Sequence, residues 1–255
     1  MTIALGLLAK DGLVMAADSQ VTSGDWKTSH GKISCFVWDA DTPKPMSVVL
    51  TGAGTLSYLS AAWEAIRPSM TPGISIPALK ASVGKAIESL YAKHIVPFAQ
   101  FPDRPGIQLL IGVGRSQEHE ELWLSEFSPL VETRPYYAVG VGQNYAMAIL
   151  ERLYRLPLMD CVDTAVLAGH VVKLVKDSDV SCGKLTEIVA IRKGKWHQAS
   201  LETVKEIDAA SEHFGGEVEP YVFRRALGVG APPINDWLDK SSFRDIVREL
   251  RQEWA

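Results

Sequence analysis

The stretch that decides the fold is residues 2–24, TIALGLLAKDGLVMAADSQVTSG. Two short apolar runs, residues 3–9 and 13–17, flank an Asp-Gly pair. Such a pair favours a tight turn, because both of its positions can adopt positive φ. The stretch therefore predicts a hairpin of two buried strands, the second of which ends at Asp18.

Strand-like runs and helical periodicity alternate along the rest of the chain. The predicted strands are residues 33–38, 46–51, 107–113, 120–127, 136–140, 187–192 and 195–199, and the predicted helices are 55–67, 77–98, 143–155 and 161–176. Paired helices between antiparallel strands do not fit a parallel β-α-β sheet. They favour an α+β fold, a four-layer αββα sandwich in which two sheets lie back to back and helices cover each.

The composition of the sequence changes after residue 213. Residues 1–213 are predicted to form the αββα domain, and residues 214–255 a C-terminal extension that is first rich in glycine and proline. Its last residues, SSFRDIVRELRQEWA, predict a terminal amphipathic helix. We expect the extension to pack on the body of the protein or on a neighbouring subunit.

The composition excludes several classes of function. The 255 residues include 26 Lys and Arg against 30 Asp and Glu, a formal net charge of −4. That balance leaves no basic excess for a nucleic acid, and no apolar run approaches the roughly 18 residues of a membrane span. Three separated cysteines and scattered histidines predict no disulfide framework, metal site or cofactor. With no secretory signal either, we expect a cytoplasmic protein.

The first two residues suggest a chemistry. Methionine aminopeptidases remove Met1 when the next side chain is small, so the mature chain is expected to begin at Thr2. A free N-terminal threonine combines a hydroxyl nucleophile with an α-amine whose pKa, about 7.7–8.0, suits a base. Many cytosolic proteins begin Met-Thr without such a role, so the neighbouring residues decide.

Two charged residues are expected near Thr2. Asp18 ends the second strand of the hairpin, and Lys32 begins a later strand at a matching height. An ammonium held there by a carboxylate would lower the pKa of the Thr2 hydroxyl and amine by charge proximity. Taken singly, each of the two residues is more often a surface charge: an aspartate at a strand end and a solvated lysine.

Residues 2–24 resemble the opening of proteasome β subunits, the family of N-terminal-nucleophile hydrolases that includes HslV- and Anbu-type bacterial homologues. The likeness continues at residues 31–33 (GKI), 50–54 (LTGAG) and 138–146 (AVGVGQNYA), and it covers roughly residues 2–200. It implies the αββα fold and a threonine-type peptidase in a homo-oligomer of stacked rings. It also implies an unfolded protein or peptide as substrate, delivered by an ATP-dependent unfoldase.

The resemblance also implies roles for the catalytic positions. Thr2 would be the nucleophile, and Asp18 and Lys32 would set its protonation. The backbone N–H of Gly52 would bind the oxyanion, a contribution that often dominates acyl transfer. Without the family, a turn glycine is an equally good interpretation of Gly52.

Substrate positions follow from the same resemblance. Thr22 and Gly54 would bind the substrate backbone as an extended strand. Val21 and Leu50 would line the first specificity pocket and favour an apolar side chain.

The sequence departs from the family pattern in two places. Val141 stands where the family usually has a serine that binds the N-terminal amine. In residues 177–183, DSDVSCG, Ser181 matches a family serine, but the expected aspartate position holds Ser178 and a glycine position holds Cys182. Either Asp177 or Asp179 could replace that aspartate after a shift of one residue.

Three functions remain open from the sequence. The first is the threonine peptidase subunit of a ring complex. The second is a catalytically silent ring subunit, which the departures favour and the intact Thr2, Asp18 and Lys32 oppose. The third is an amidase of the same fold that acts on a small amide, which a monomer or dimer would favour.

Overall fold

The computed structural model describes residues 2–23, 26–38, 44–98, 100, 106–116, 118–155, 158–213 and 243–254. The strands are β1 (Ile3–Ala9), β2 (Gly12–Asp18), β3 (Gln20–Ser23), β4 (Trp26–Ser29), β5 (Ser34–Trp38), β6 (Met46–Gly54), β7 (Ile107–Arg115), β8 (Glu121–Glu126), β9 (Leu130–Glu132), β10 (Tyr136–Gly140), β11 (Thr186–Arg192) and β12 (Lys195–Gln198). The helices are α1 (Leu56–Ile66), α2 (Ile76–His94), α3 (Gln143–Leu153), α4 (Cys161–Ser178), α5 (Leu201–His213) and α6 (Phe243–Glu253).

Most of the strands form two five-stranded antiparallel sheets. The first has the order β10-β1-β2-β11-β12 and the second the order β5-β6-β7-β8-β9, while β3 and β4 pair separately. The predicted opening hairpin is confirmed, since β1 and β2 pair in register from Ala4 opposite Ala17 to Ala9 opposite Gly12. The predicted mixture of helices and antiparallel strands is confirmed as well.

Both faces of the central strands are buried. Side chains alternate between the faces of a strand: Leu5 and Val14 pack in an apolar cluster with α3 and α4, whereas Ala4 and Met15 pack against the second sheet. A further cluster joins the second sheet to α1 and α2. This double burial explains why β1 and β2 are almost continuously apolar.

Several elements were not predicted. The β3–β4 hairpin is largely polar and β4 is exposed, so neither strand has an apolar face that the sequence pattern could reveal. The short strand β9 likewise lacks a clear alternation of apolar and polar residues. Helix α5 does have a helical apolar pattern, in which Val204, Ile207 and Ala210 are buried, and that spacing is visible in the sequence.

The terminal helix packs on the chain's own body. Ile246, Leu250 and Trp254 are buried in the apolar cluster that includes α4 and α5. Nη1 of Arg192 also donates a hydrogen bond of 2.8 Å to the Trp254 carbonyl. The rest of the predicted extension, residues 214–242, lies outside the described residues. No helix in the described part of the chain is long and apolar enough to cross a membrane.

Candidate active site

Thr2 lies where β1 meets the end of β10. It is 5% exposed, and its carbonyl oxygen accepts a 3.0 Å hydrogen bond from the backbone N–H of Val141. Gly140, the residue before Val141, has φ +104°, and a Cβ added there would lie 2.0 Å from the Thr2 carbonyl oxygen. Only glycine therefore lets β10 approach Thr2 this closely.

The Lys32 ammonium contacts Thr2 directly. The lysine follows the β3–β4 hairpin, its side chain is 2% exposed, and Nζ donates a hydrogen bond to Thr2 Oγ1. It also donates to Asp18 Oδ1 at 2.8 Å and to the carbonyl oxygen of Gln20 at 2.5 Å. Its backbone N–H donates to Glu187 Oε2 at 2.9 Å and anchors the segment to β11. The ammonium is thus fully coordinated without water.

The Asp18 carboxylate is equally well satisfied. Its side chain is 0% exposed. Besides Lys32, it accepts hydrogen bonds from the backbone N–H groups of Ile3 at 3.1 Å, Gln20 at 3.3 Å and Gly183 at 3.0 Å. Buried charges persist in proteins when they are paired and hydrogen-bonded in this way. Asp18 therefore joins three separate segments of chain around Thr2.

This arrangement can stabilise negative charge on the threonine hydroxyl. A charge-assisted donor such as an ammonium forms stronger hydrogen bonds than a neutral donor, and Lys32 aims one at Thr2 Oγ1. Asp18 balances the lysine charge, so the group is neutral overall before reaction. The geometry suits a nucleophile whose oxygen gains negative charge as its proton is removed.

A cleft of about 1060 Å³ opens beside Thr2, and Val21 and Gly54 are among its lining residues. Leu50 and Gly52 are not among the described residues that line it. Leu50 is buried in the cluster beneath α1 and α2. A Cβ at Gly52 would contact Leu59 of α1, which itself lines the cleft, at 3.0 Å. Thr22 lies in β3, next to Val21.

The segment after α4 reaches the site through its backbone. Asp177 forms an ion pair of 2.6 Å with Lys173, which also pairs with Glu212 of α5 at 2.9 Å. The Ser181 N–H donates to Asp179 Oδ1 at 2.8 Å. Among the described residues, no hydrogen bond joins Asp177 or Ser181 to the three central side chains. The segment contributes the Gly183 N–H instead.

The two departures from the family pattern have clear structural consequences. Val141 offers Thr2 only its backbone N–H, and its side chain is half exposed in the cleft. Cys182 is buried at 4% exposure. Burial, followed by the charge of Asp18, raises the pKa of the Cys182 thiol to about 12. The thiol therefore stays protonated near neutral pH and does not compete as a nucleophile.

Several groups that shape the active site are not marked by the sequence pattern used above. The carbonyl of Gln20 and the N–H of Gly183 are backbone groups, which no residue pattern marks. Gln108 was detectable as a polar residue inside the apolar strand β7. Its Oε1 accepts from the Gly140 N–H at 3.0 Å, and its Nε2 donates to Glu126 Oε1 at 2.6 Å. No group of His, Cys, Asp or Glu within the described ranges could hold a metal ion.

Comparison with curated proteins gives proteasome subunits. Proteasome subunit beta 1 of Pyrobaculum calidifontis is 29% identical over 216 residues, which cover 81% of this chain and 98% of that protein. Proteasome subunit beta 1 of Thermococcus gammatolerans is 26% identical over 201 residues, 75% of this chain and 90% of that protein. No family model matches the chain.

Comparison with solved structures gives Anbu proteins. Anbu from Yersinia bercovieri, described as an ancestral beta-subunit, has a TM-score of 0.68 at 17% identity, covering 86% of this chain and 96% of that one. The helical assembly of the Anbu complex from Pseudomonas aeruginosa has a TM-score of 0.70 at 16% identity, covering 91% and 98%.

The chain therefore has a mixed α and β fold of the kind seen in the Anbu structures. The resemblance to the proteasome β-subunit family is confirmed: the chain is similar to curated proteasome β subunits over about four fifths of its length.

Proposed function

We propose that this chain is a threonine-type peptidase subunit, with Thr2 as its nucleophile once Met1 has been removed. The observation that carries the proposal is the buried Lys32 ammonium, which donates to Thr2 Oγ1 and is neutralised by Asp18 at 2.8 Å. The fold we infer is the four-layer αββα sandwich of N-terminal-nucleophile hydrolases. Its support is the helix-covered outer face of each sheet and the apolar cluster between them.

The proposed reaction begins at the threonine hydroxyl. The α-amine of Thr2 takes the proton from Oγ1, directly or through one water, and Oγ1 attacks the carbonyl carbon of the scissile peptide bond. Lys32 stabilises the oxygen as it becomes more negative. The amine then protonates the leaving nitrogen, and water hydrolyses the resulting ester to restore Thr2.

The substrate is proposed to lie in the cleft as an extended strand. Strand β3 would pair with it near Thr22, and Val21 would contact a substrate side chain. The Gly52–Gly54 segment would supply the backbone N–H for the oxyanion, with Gly54 at the wall of the cleft. Leu50 lies behind that wall, so we assign it no contact with substrate.

We also propose self-association into rings, because the similar curated proteins are proteasome β subunits. The helical assembly of a similar Anbu complex supports self-association in general. Active sites inside such a chamber would act on peptides or unfolded proteins, with an ATP-dependent unfoldase as partner, in the cytoplasm. A small-amide amidase would not need the chamber. Light scattering after size-exclusion chromatography tests this: a ring supports the peptidase, and a monomer or dimer supports the amidase.

The decisive test of the nucleophile compares the natural chain with Thr2→Ala. Intact mass spectrometry should show loss of Met1 and one adduct after treatment with a peptide epoxyketone. Hydrolysis of fluorogenic peptides should disappear in Thr2→Ala while its assembly stays unchanged. Peptidase activity retained by Thr2→Ala would place the nucleophile elsewhere.

The second candidate is a catalytically silent ring subunit. It is favoured by Val141, which brings no hydroxyl to the Thr2 amine, and by Asp177, which pairs with Lys173. Losing one polar partner of the amine costs about 1–3 kcal/mol of positioning, or roughly ten- to a hundredfold in rate. Removal of Met1 without any adduct on Thr2, in an intact ring, would support this candidate.

A further inference from the structure

We propose that the cleft beside Thr2 contains a subsite for a basic side chain of a peptide, with the Glu126 carboxylate as its counter-charge. The inference rests on the proposed peptide-binding function of the cleft. It assigns a substrate class that neither the relatives nor the catalytic group define.

The charges that line the cleft support this subsite. Among the described residues that line it, Lys32 and Glu126 are the charged ones. Lys32 is committed to Asp18 at 2.8 Å. Glu126 is half-buried at the end of β8 and takes part in none of the ion pairs between described residues. Within the described lining of the cleft, Glu126 is therefore a negative charge without a cation.

Hydrogen bonds fix the orientation of the Glu126 carboxylate. The Gln108 side chain donates from Nε2 to Glu126 Oε1 at 2.6 Å and accepts at Oε1 from the Gly140 N–H at 3.0 Å. These two bonds determine which way the amide points. They leave Glu126 Oε2 without a hydrogen bond from any residue in the described part of the chain. Gln108 thus links Glu126 to Gly140. The next residue, Val141, donates its N–H to the Thr2 carbonyl, so Glu126 is connected to the segment that holds the nucleophile.

The cleft also has an apolar wall beside Glu126. Tyr91, Ile95 and Phe127 line the same cleft. The Tyr91 hydroxyl donates to the Ile107 carbonyl at 2.7 Å, which holds the ring in place. Lysine and arginine side chains place their methylene groups along apolar surface and their charged ends at a polar partner. The wall and the carboxylate together fit such a side chain better than a purely apolar or acidic one.

The experiment measures peptide binding without cleavage. Fluorescein-labelled hexapeptides that carry Lys, norleucine or Glu at one position, scanned through the sequence, are titrated against full-length Thr2→Ala protein by fluorescence anisotropy. We expect Lys to bind about tenfold tighter than norleucine at one position, the equivalent of about 1.4 kcal/mol. The advantage should shrink in high salt, because exposed parts of an ion pair are screened.

Variants in the same background assign the effect. Glu126→Gln should remove the preference for Lys, and Glu126→Lys should reverse it toward Glu. The matched control is Glu132→Gln on the neighbouring strand β9, where the side chain is 65% exposed and pairs with Lys80 outside the cleft. That change should leave the preference intact.

The outcomes separate the subsite from the peptidase. Equal binding of Lys and norleucine peptides at every position overturns the subsite, and this result does not depend on whether the Glu126 variants fold. A preference for Lys that survives Glu126→Gln also overturns it. Hydrolysis by the Thr2 protein is measured separately on the same peptides. Cleavage without a basic preference overturns only the subsite, and a basic preference in binding without cleavage overturns only the peptidase.

Discussion

Breaking the Asp18–Lys32 pair should cost much more stability than breaking an exposed pair. The two side chains are 0% and 2% exposed and 2.8 Å apart. Removing one partner of a buried pair typically costs about 3–5 kcal/mol, because the other charge is left buried and uncompensated. The two substitutions should nevertheless differ, because the partners left behind have different surroundings.

Lys32→Met leaves Asp18 with hydrogen bonds from three backbone N–H groups. We therefore expect its cost near the lower limit, about 3 kcal/mol. Asp18→Asn leaves the ammonium with only neutral oxygens, those of Thr2 and Gln20, and turns an amide group toward backbone donors. Its cost should lie near the upper limit, about 5 kcal/mol.

The assay is urea unfolding followed by tryptophan fluorescence, at one protein concentration because assembly adds to apparent stability. The double variant should be less destabilised than the sum of the single variants, by about 1–3 kcal/mol, as expected for residues in direct contact. The control is Glu64→Gln, which breaks a 3.5 Å pair with Arg67 in which both side chains are more than half exposed. It should change stability by less than about 1 kcal/mol. The reasoning is refuted if Asp18→Asn costs no more than this control, or if the two single effects simply add.

Further predictions test the surroundings of the site and the terminal helix. Gly140→Ala places a Cβ 2.0 Å from the Thr2 carbonyl oxygen at φ +104°, so it should lower the melting temperature and the labelling of Thr2, whereas Gly84→Ala, with no neighbour nearer than 4.0 Å, should not. The Cys182 thiol, with a pKa of about 12, should resist iodoacetamide at pH 8 in the folded protein and react in urea, as read by mass spectrometry. Because the folded state holds that proton more tightly, its contribution to the free energy of unfolding is complete below the ordinary pKa of 9.0 and is lost as the pH rises toward 12. Leu250→Ala removes a fully buried side chain from the terminal helix and should cost about 2–5 kcal/mol in urea unfolding; an unchanged midpoint would mean that this helix does not pack on the body in solution.

The elements predicted well are those with strong local signals. The opening hairpin combines two apolar runs with an Asp-Gly turn, and its pairing in the structure matches. The β3–β4 hairpin escaped prediction because its residues, such as the exposed Trp26 and Lys27, do not alternate between an apolar and a polar face. Its place in the fold is defined by tertiary contacts, since Lys27 Nζ donates to the Val180 carbonyl at 2.7 Å.

The sequence by itself determined the meeting of Thr2 and Asp18, because two adjacent strands joined by a tight turn bring their outer ends together whatever surrounds them. It also indicated Lys32 through the family resemblance. Only the tertiary structure decided that Gly183, 165 residues away, completes the carboxylate's hydrogen bonds, and that Asp177 pairs with Lys173 on α4. The physical reason is that backbone donors look alike in every sequence, and the direction of a charged side chain depends on which elements pack around it.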